Sequence, residues 1–294
     1  MKRTGATVLE TIAVRVPRAA VPIFEAALAQ ACRSVGLFGI EEDADWTVEG
    51  VKERGAGETL LAAALALAVA VSGVAATVAR RPTEADGWLA RTRAAFPEQL
   101  VGKRFAIRGT HIHAPLRTGR LTLTLDAAAA FGSGEHGSTR GCLRALERVA
   151  HRRPARLLDL GTGSGILALA AARLLHRQVL ATDIDPWSVR TAAANARRNG
   201  LGRRVRALRA DGWSAPALAA QAPYDLIFAN ILARPLCRLA WQTSAHLAPD
   251  GTLILAGLLT KQARWVLAAY RRHGLTLEWR LSEGPWCTLV LRRR

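Results

Sequence analysis

The pattern of hydrophobic and polar positions in the first eighty residues predicts a small α+β domain. Alternation over residues 9–16 predicts a strand, and apolar positions at helical spacing over residues 17–34 predict a helix. Two short strands, a helix and a final strand are then predicted over residues 37–41, 46–52, 58–71 and 74–80. This βαββαβ order is typical of a ferredoxin-like domain, which we place at residues 1–81.

From Pro154 onward, short strands alternate with helices. The predicted strands cover residues 156–160, 178–182, 205–209, 225–229 and 252–256, and the predicted helices cover residues 164–175, 186–199, 233–247 and 260–273. This alternation predicts an α/β fold, a parallel Rossmann-like sheet with helices on both faces. Residues 276–281 and 286–291 predict a closing hairpin, so that the last strand runs antiparallel.

The sheet domain is expected at residues 120–294, joined to the first domain by a linker helix and a connecting strand at residues 82–119. The linker begins at Pro82 and leads into a short helix that carries Trp88. Strands are predicted at residues 102–107 and 120–125, and a further helix opens at Ser138.

One uncharged run of twenty residues, 60–79, is long enough to span a bilayer. Nine of the twenty are alanine, which contributes little transfer free energy, and Ser72-Gly73 interrupts the run. We therefore expect a buried helix, a turn and a short strand. The first residues lack the apolar core of a signal peptide, and the four cysteines form no CxxC pair. These features predict a reduced, cytoplasmic protein without a membrane segment.

Composition excludes wholesale disorder, because 50% of the 294 residues are hydrophobic and only 22% are charged. The 41 basic residues exceed the 23 acidic residues by 18 charges, which favours anionic partners such as RNA. Arginine supplies 37 of the basic residues. Abundant arginine and alanine are also what a GC-rich genome encodes, so the charge by itself predicts no more than weak contact with RNA.

A glycine-rich turn carries the strongest chemical signal. Gly161, Gly163 and Gly165 follow an apolar strand at alternate positions and lead directly into a helix, which lets the backbone turn sharply beside a ligand. The spacing is GxGxG rather than the GxGxxG of dinucleotide-binding proteins. Asp183 ends the next strand, at the same edge of a parallel sheet, where a carboxylate can accept both hydroxyls of a ribose.

Two other carboxylates are candidates near the same edge. Asp185 lies two residues beyond Asp183 and ranks second as the ribose acceptor. Asp211 follows the third strand, where it can accept a hydrogen bond from an adenine amino group; the alternative is a solvated turn aspartate.

The residues just described resemble the signature of the seven-stranded S-adenosylmethionine-dependent methyltransferases, whose sheet ends in an antiparallel hairpin. More narrowly, the chain is similar to the PrmA family, the methyltransferases of ribosomal protein L11. The segments that carry this match are Asp159 to Gly165 with Asp183, the loop Asp126 to Thr139, the element Phe228 to Leu236, and Ala256 to Leu259 followed by Gln262-Ala263.

The resemblance implies methyl transfer from S-adenosylmethionine to lysine side chains and the N-terminal amine of ribosomal protein L11. It implies direct transfer without a metal, and an N-terminal domain that recognises the protein substrate. The residues expected to bind the cofactor are Phe131, Gly132, Thr139, Gly161, Gly163, Asp183, Asp211 and Asn230. The exposed amides of the loop before Ser138 and the Thr139 hydroxyl are expected to hold its carboxylate end.

The chain departs from the family pattern at a few positions. Ser133 and Ser138 stand where the family has threonine, which keeps the hydroxyl group, and Gly87 replaces an acid before Trp88. His136 has no second histidine or cysteine at ligand spacing, so a metal role is not expected.

Asn230 is the expected catalytic residue, because it ends the fourth strand at the same edge of the sheet. Ile231 and Leu232 follow it, where enzymes that methylate a base or an amide carry prolines and an aromatic residue. An apolar wall suits a flexible aliphatic amine better than a flat base. The alternative role for Asn230 is that of a cap for the helix predicted from Ala233.

Other functions remain open at this point. A lysine methyltransferase with another protein target, such as an electron-transfer flavoprotein subunit, fits the same cofactor motif. An RNA methyltransferase is favoured by the charge but opposed by the missing aromatic residue. A non-catalytic binding module is the third alternative.

Overall fold

The structure is a computed structural model that describes residues 9–32, 34–38, 45–83, 98–125 and 137–293. The chain divides into two compact units, Met1–Thr92 and Arg93–Arg294. Each unit contains its own cluster of buried hydrophobic side chains. The predicted helix around Trp88 lies outside the described residues.

The first unit is a four-stranded antiparallel sheet with two helices. Its elements are β1 (Leu9–Pro17), α1 (Val21–Ala31), β2 (Ser34–Phe38), β3 (Asp45–Glu53), α2 (Glu58–Ser72) and β4 (Val78–Thr83). The strands lie in the order β2-β3-β1-β4, and every neighbouring pair is antiparallel. Phe24 and Leu28 of α1 and Leu61 of α2 are fully buried between the helices and the sheet.

The predicted βαββαβ element order is confirmed, but three predicted bounds are wrong. The helix predicted over residues 17–34 is shorter, because the backbone of Cys32 is already extended. Strand β2 begins at Ser34 rather than residue 37, and β4 begins at Val78 rather than residue 74. Hydrophobic periodicity identifies residues suited to an element, whereas pairing with the neighbouring strand decides which of them join the sheet.

Helix α2 lies between two glycines in the left-handed conformation. Gly57 precedes the helix at a φ of 65°, and Gly73 ends it at a φ of 67° with its N–H bonded to the carbonyl of Val69 at 2.9 Å. The predicted turn at Ser72-Gly73 is therefore confirmed. Among the helices that the structure describes, none is both long enough and apolar enough to cross a membrane.

A buried ion-pair network links the strands and α2 in this unit. Lys52 is only 1% exposed, and its Nζ donates to Glu10 Oε1 at 2.8 Å and to Glu58 Oε1. Arg80 of β4 donates to the other oxygen of Glu58 at 2.8 Å. Burial opposes the charge of Lys52, but the two carboxylates outweigh it and raise the lysine pKa. Opening this network would leave a charge buried without a partner, which is strongly destabilising.

The second unit begins with a small sheet of β5 (Gln99–Val101), β6 (Phe105–Gly109) and β7 (Leu121–Leu125), in that order. The prediction of one strand over residues 102–107 is wrong at its start. Gly102 has a φ of 56° and lies in the turn between β5 and β6. The Glu147 carboxylate accepts the backbone N–H groups of Lys103 and Arg104 in this turn, at 3.0 and 2.6 Å.

The main sheet has seven strands. They are β8 (Leu157–Leu160), β9 (Val179–Asp183), β10 (Val205–Arg209), β11 (Tyr224–Asn230), β12 (Leu247–Leu259), β13 (Leu275–Glu283) and β14 (Trp286–Arg293), in the order β10-β9-β8-β11-β12-β14-β13. Strands β8 to β12 pair in parallel, and β14 pairs antiparallel with both of its neighbours. The predicted parallel sheet with an antiparallel last strand is confirmed.

Helices cover both faces of this sheet. They are α3 (Gly137–Val149), α4 (Ile166–Leu175), α5 (Pro186–Arg198), α6 (Pro216–Gln221), α7 (Ala233–Arg238), α8 (Ala240–Ala245) and α9 (Ala263–Arg271). Alternate residues of the central strands enter opposite cores: Leu157 and Phe228 pack on one side, Leu158 and Ile227 on the other. Because these strands are buried on both faces, their sequences are continuous apolar runs.

One helix prediction in this unit is wrong, and one helix has no counterpart among the predicted elements. The helix predicted over residues 233–247 is two short helices, α7 and α8, with a one-residue turn at Leu239, whose φ of −86° and ψ of −1° stay in the right-handed helical region. Helix α6 was not predicted, although Pro216 at its first position is a recognised start signal. With only six residues, α6 is too short for its periodicity to be recognised.

Candidate active site

The carboxyl ends of the central parallel strands surround a cavity of about 590 Å³. Its wall includes Gly161 and Gly163 after β8, Asp183 at the end of β9, Asp211 after β10, and Asn230 at the end of β11, and Thr139 of α3 also lines it. Strand order reverses between β8, which pairs with β9, and β11, so the cavity lies at a topological switch point. The volume is within the range of small-molecule sites. Six of the predicted site residues therefore lie around one cavity.

The glycine-rich turn has the backbone that its sequence predicts. Gly161, Gly163 and Gly165 have φ values of 75°, 54° and 85°, a region that residues with a side chain rarely adopt. The N–H groups of Gly161 and Thr162 both donate to the carbonyl of Thr182, each at 2.8 Å. These bonds hold the turn against the end of β9, next to Asp183.

The Asp183 carboxylate is fixed by two backbone N–H groups. Gly163 donates to Oδ2 at 2.9 Å, and Asp185 donates to Oδ1 at 3.0 Å. A carboxylate offers about four acceptor positions, so each oxygen retains capacity for one further donor. Asp183 is half-buried and lines the cavity. Two hydroxyl groups of a ribose match that remaining capacity.

Asp185, the second candidate for the ribose contact, has a different role. Its side chain caps α5 by accepting the N–H groups of Trp187 and Ser188, each at 3.0 Å. Burial acts to raise the pKa of this carboxyl group, but the capping bonds outweigh it and lower the pKa. The ranking of Asp183 above Asp185 therefore agrees with the geometry.

Asn230 and Thr139 meet although they are 91 positions apart in the chain. The Nδ2 of Asn230 donates to the Thr139 hydroxyl at 3.3 Å, and Thr139 itself is only 1% exposed. Among the described residues, Asn230 Oδ1 has no hydrogen-bond partner. The helix-cap alternative for Asn230 is wrong, because Leu232 occupies the N-cap position of α7 and no side chain caps that helix.

Sequence reasoning missed the role of Gly257 in β12. A Cβ atom at Gly257 would lie 2.4 Å from the carbonyl oxygen of Ile231, and the φ of Gly257 is 78°. A Cβ atom at Gly161 would lie 2.3 Å from Cγ2 of Ile231. Ile231, the residue after Asn230, is thus held between two positions that only glycine can occupy. The short Ala-Gly-Leu-Leu segment was visible in the sequence, but its contact with Ile231 was not.

Of the remaining predicted site residues, the structure describes Asp211 but not Phe131, Gly132 or His136. Asp211 is exposed at the cavity, and its backbone N–H is bonded to Ser214 Oγ at 3.1 Å. Phe131, Gly132 and His136 lie outside the described residues. Within the described part of the chain, no group of three or more histidine, cysteine, aspartate or glutamate side chains is arranged to hold a metal ion.

Asp159, at the third position of β8, is a buried acid directly beside the glycine turn. It is fully buried, and its Oδ2 accepts hydrogen bonds from the Thr162 hydroxyl at 2.6 Å and the Ala168 N–H at 3.1 Å. Its Oδ1 has no partner among the described residues. Burial raises the pKa of Asp159 to about 6, although the two hydrogen bonds act in the opposite direction.

We expect Asp159→Asn to change how stability depends on pH. The folded protein holds this proton more tightly than the unfolded chain, whose pKa is near 3.8, so wild-type stability declines as pH rises through 6. The variant lacks this decline, and its asparagine carbonyl can still accept the Ala168 N–H. Relative to wild type, the variant should therefore gain up to about 3 kcal/mol between pH 4 and pH 7. Urea unfolding at both pH values measures the gain, and a stability difference that does not change with pH would contradict it.

The fold and the cavity together define a class of protein. A seven-stranded sheet with one antiparallel strand, a glycine-rich turn after β8 and an acid at the end of β9 form the α/β fold of the S-adenosylmethionine-dependent methyltransferases.

Comparison with known proteins identifies the family. The family model described as ribosomal protein L11 methyltransferase (PrmA) matches residues 27–294. A ribosomal protein L11 methyltransferase of Bradyrhizobium diazoefficiens is 47% identical over 224 residues, 75% of this chain and 75% of that protein. One of Chelativorans sp. is 40% identical over 262 residues, 89% of this chain and 86% of that protein. The chain therefore belongs to the PrmA family.

A solved structure supports the same assignment. The crystal structure of a ribosomal protein L11 methylase from Lactobacillus delbrueckii subsp. bulgaricus superimposes with a TM-score of 0.61 at 31% sequence identity. The superposition covers 67% of this chain and 99% of that chain. Family membership makes this chain an S-adenosylmethionine-dependent protein methyltransferase.

Proposed function

We propose that this protein transfers methyl groups from S-adenosylmethionine to amines of ribosomal protein L11, namely lysine side chains and the N-terminal amine. The observation that carries the proposal is Asn230: its Oδ1 is an unoccupied acceptor among the described residues, and Thr139 fixes the orientation of its amide. The names of the relatives support the choice of protein substrate.

The cavity residues fit the cofactor in three places. Asp183 retains acceptor capacity for the ribose hydroxyls. The glycine turn offers main chain against which the cofactor can lie, because its glycines have no side chains. Asp211, exposed after β10, is proposed to accept the adenine amino group. Thr139, together with Phe131 and Gly132 of the preceding loop, is proposed to hold the amino-acid end.

The chain's own residues must supply a neutral, aligned amine. S-adenosylmethionine supplies the methyl group and a positive charge that disfavours an ammonium ion beside it. Deprotonation at pH 7 costs about 4.6 kcal/mol for a lysine amine and about 1 kcal/mol for an α-amine. Asn230 Oδ1 accepts a hydrogen of the neutral amine and so directs its lone pair toward the cavity. Because the group is an acceptor and not a dedicated base, it can serve successive transfers.

The residues around Asn230 suit an aliphatic acceptor. Ile231 lines the cavity and is fixed between Gly161 and Gly257, and Leu232 lines it while remaining 71% exposed. An exposed leucine at the edge of the cavity offers apolar contact to the methylene groups of a lysine side chain. Neither residue offers the flat face on which a nucleobase would stack.

The first unit is proposed to be a ferredoxin-like domain that recognises the protein substrate. Its strand order β2-β3-β1-β4 and its two helices support the domain type. The described residues that line the 590 Å³ cavity all belong to the second unit. The proposal therefore gives cofactor binding to the second unit and substrate recognition to the first.

The experiment compares two proteins and two acceptors. The full chain, and a chain beginning at Thr83, are incubated with radiolabelled S-adenosylmethionine and either unmethylated ribosomal protein L11 or deproteinised ribosomal RNA. We expect label on the protein with the full chain, at least ten-fold less with the shortened chain, and none on RNA. Cofactor binding by the shortened chain, measured by calorimetry, is the control that it folds. Label on the RNA alone would overturn the proposed substrate, and equal rates for both chains would overturn the role of the first unit.

A further inference from the structure

A row of arginines precedes the parallel strands, at the edge of the sheet opposite the cavity. Arg153 lies before β8, Arg177 before β9, and Arg203 before β10. These strands are neighbours, and their first residues pair directly: Leu157 with Val179, and Val179 with Val205. Since parallel strands all begin at the same edge, the three arginines lie along it. We call these three residues the arginine edge.

The guanidinium groups of the arginine edge are available to a ligand. All three residues are exposed, and none forms an ion pair or a side-chain hydrogen bond with another described residue. Three acids lie near this edge: Asp250, which lines a second depression with Arg153, pairs with Arg292 at 3.2 Å, and the other two accept backbone groups. Glu147 accepts two N–H groups of the β5–β6 turn, and Asp225 accepts those of Ala155 and Arg156 at 2.8 and 2.9 Å.

The same edge contains a cavity. A depression of about 440 Å³ is lined by Arg104, Arg153, Arg177 and His151, and Glu147 is the single acid in its lining. The space and the charge suit a phosphate group, which the planar guanidinium of arginine binds through two parallel hydrogen bonds. Two residues of the arginine edge, Arg153 and Arg177, therefore line a concave site, and Arg203 is not part of its lining.

The composition of the edge discriminates among anionic partners. None of the large exposed apolar residues of the described chain, for example Leu232, Trp241 and Trp265, lines the depression. A membrane surface requires apolar anchors, and a protein interface requires an apolar or aromatic centre. A phosphodiester chain requires neither. Neighbouring strands about 4.8 Å apart present cations at intervals that can follow a phosphate backbone.

We propose that the arginine edge binds the phosphate backbone of RNA, on the side of the sheet opposite the methyl-transfer site. The binding is electrostatic and independent of base sequence, because the arginine edge consists of cations that contact phosphate groups. This contact is separate from the proposed substrate, so each can fail without the other.

The test uses two triple variants of the full chain with equal charge. R153Q/R177Q/R203Q removes the arginine edge, and R264Q/R271Q/R272Q removes three exposed arginines at and just beyond α9. Binding of a fluorescent twenty-nucleotide single-stranded RNA is measured by anisotropy over a range of salt concentrations. We expect the edge variant to lose about ten-fold in affinity at 0.1 M salt, and its log–log salt slope to become shallower by about 2. The control variant should stay within two-fold of wild type.

Three outcomes would overturn the proposal. Equal losses in both variants would mean that only net charge matters, and no measurable binding by wild type would remove the contact altogether. Binding to phosphatidylglycerol vesicles that depends on the edge, without binding to RNA, would assign the surface to a membrane. Methyl transfer to ribosomal protein L11 is measured on the same samples without RNA and should be unchanged in both variants. Absence of methyl transfer to ribosomal protein L11 by the wild-type protein would count against the proposed function alone.

Discussion

Asn230→Ala is expected to lower the rate of methyl transfer by about 10²–10³, which corresponds to roughly 2.7–4 kcal/mol of lost transition-state stabilisation. The physical reason is the loss of an acceptor whose orientation is fixed by the Thr139 hydroxyl at 3.3 Å. Cofactor affinity should stay within a few-fold of wild type, because the residues proposed to contact the ribose and the adenine follow other strands. Single-turnover transfer rates and calorimetric cofactor titration separate the two effects.

Asn230→Asp is the matched control for this residue. Aspartate keeps an acceptor of the same shape, and the Thr139 hydroxyl can donate to it, but its charge stabilises the ammonium form of the acceptor amine. The variant should bind the cofactor normally, transfer slowly at pH 7 and recover partly as pH rises. Near-wild-type turnover of the aspartate variant at pH 7 would contradict the catalytic role of Asn230. A helix-capping role would not then explain the residue either, because Asn230 caps no helix in the structure.

The second large effect is expected at the glycine turn and Asp183. Asp183→Ala should weaken cofactor binding by about ten- to a hundred-fold, or roughly 1.5–3 kcal/mol, because it removes the charged acceptor proposed for the ribose hydroxyls. Gly161→Val should weaken it further. Gly161 has a φ of 75°, and a Cβ atom there would meet Ile231 at 2.3 Å, so the valine would distort both the turn and the residue after Asn230.

Asp185→Ala supplies the control for the Asp183 result. It removes a neighbouring carboxylate that caps α5, so it should cost about 1 kcal/mol of stability while leaving cofactor affinity nearly unchanged. Calorimetric titration of the three folded variants decides the matter. If Asp183→Ala and Gly161→Val bind as tightly as wild type, the cavity is not the cofactor site.

The parts of the site that are local in sequence could be predicted from the sequence. The glycine turn and Asp183 each follow a strand whose apolar residues are buried. Residues that follow parallel strands lie at the same edge of the sheet, so their proximity can be predicted without knowing the neighbouring elements. The positive φ values at Gly161, Gly163 and Gly165 follow from the residue type. The same holds for the turn at Ser72-Gly73, because glycine tolerates the left-handed conformation that ends a helix there.

Sequence patterns were less successful where neighbours decide the outcome. The bounds of β2 and β4 shifted because β3 and β1 determine which residues pair. The region predicted as one helix over residues 233–247 is divided into two helices at Leu239, although leucine is a residue that favours helices. Asp183 and Asp185 are equally good acceptors as residue types, and only the position of the α5 N-terminus shows that Asp185 is occupied.

The local sequence was enough to predict the class of fold, the glycine turn after β8 and the carboxylate at the end of β9, because the turn and the carboxylate each follow directly from a short apolar strand. The tertiary structure decided that Asn230 meets Thr139, that Gly257 leaves no room beside Ile231, and that arginines from three strands share one edge. These contacts join residues far apart in the chain. They depend on the pairing of β11 with β12, on the packing of α3 against β11 and on the order β10-β9-β8, which no single strand's hydrophobic pattern specifies.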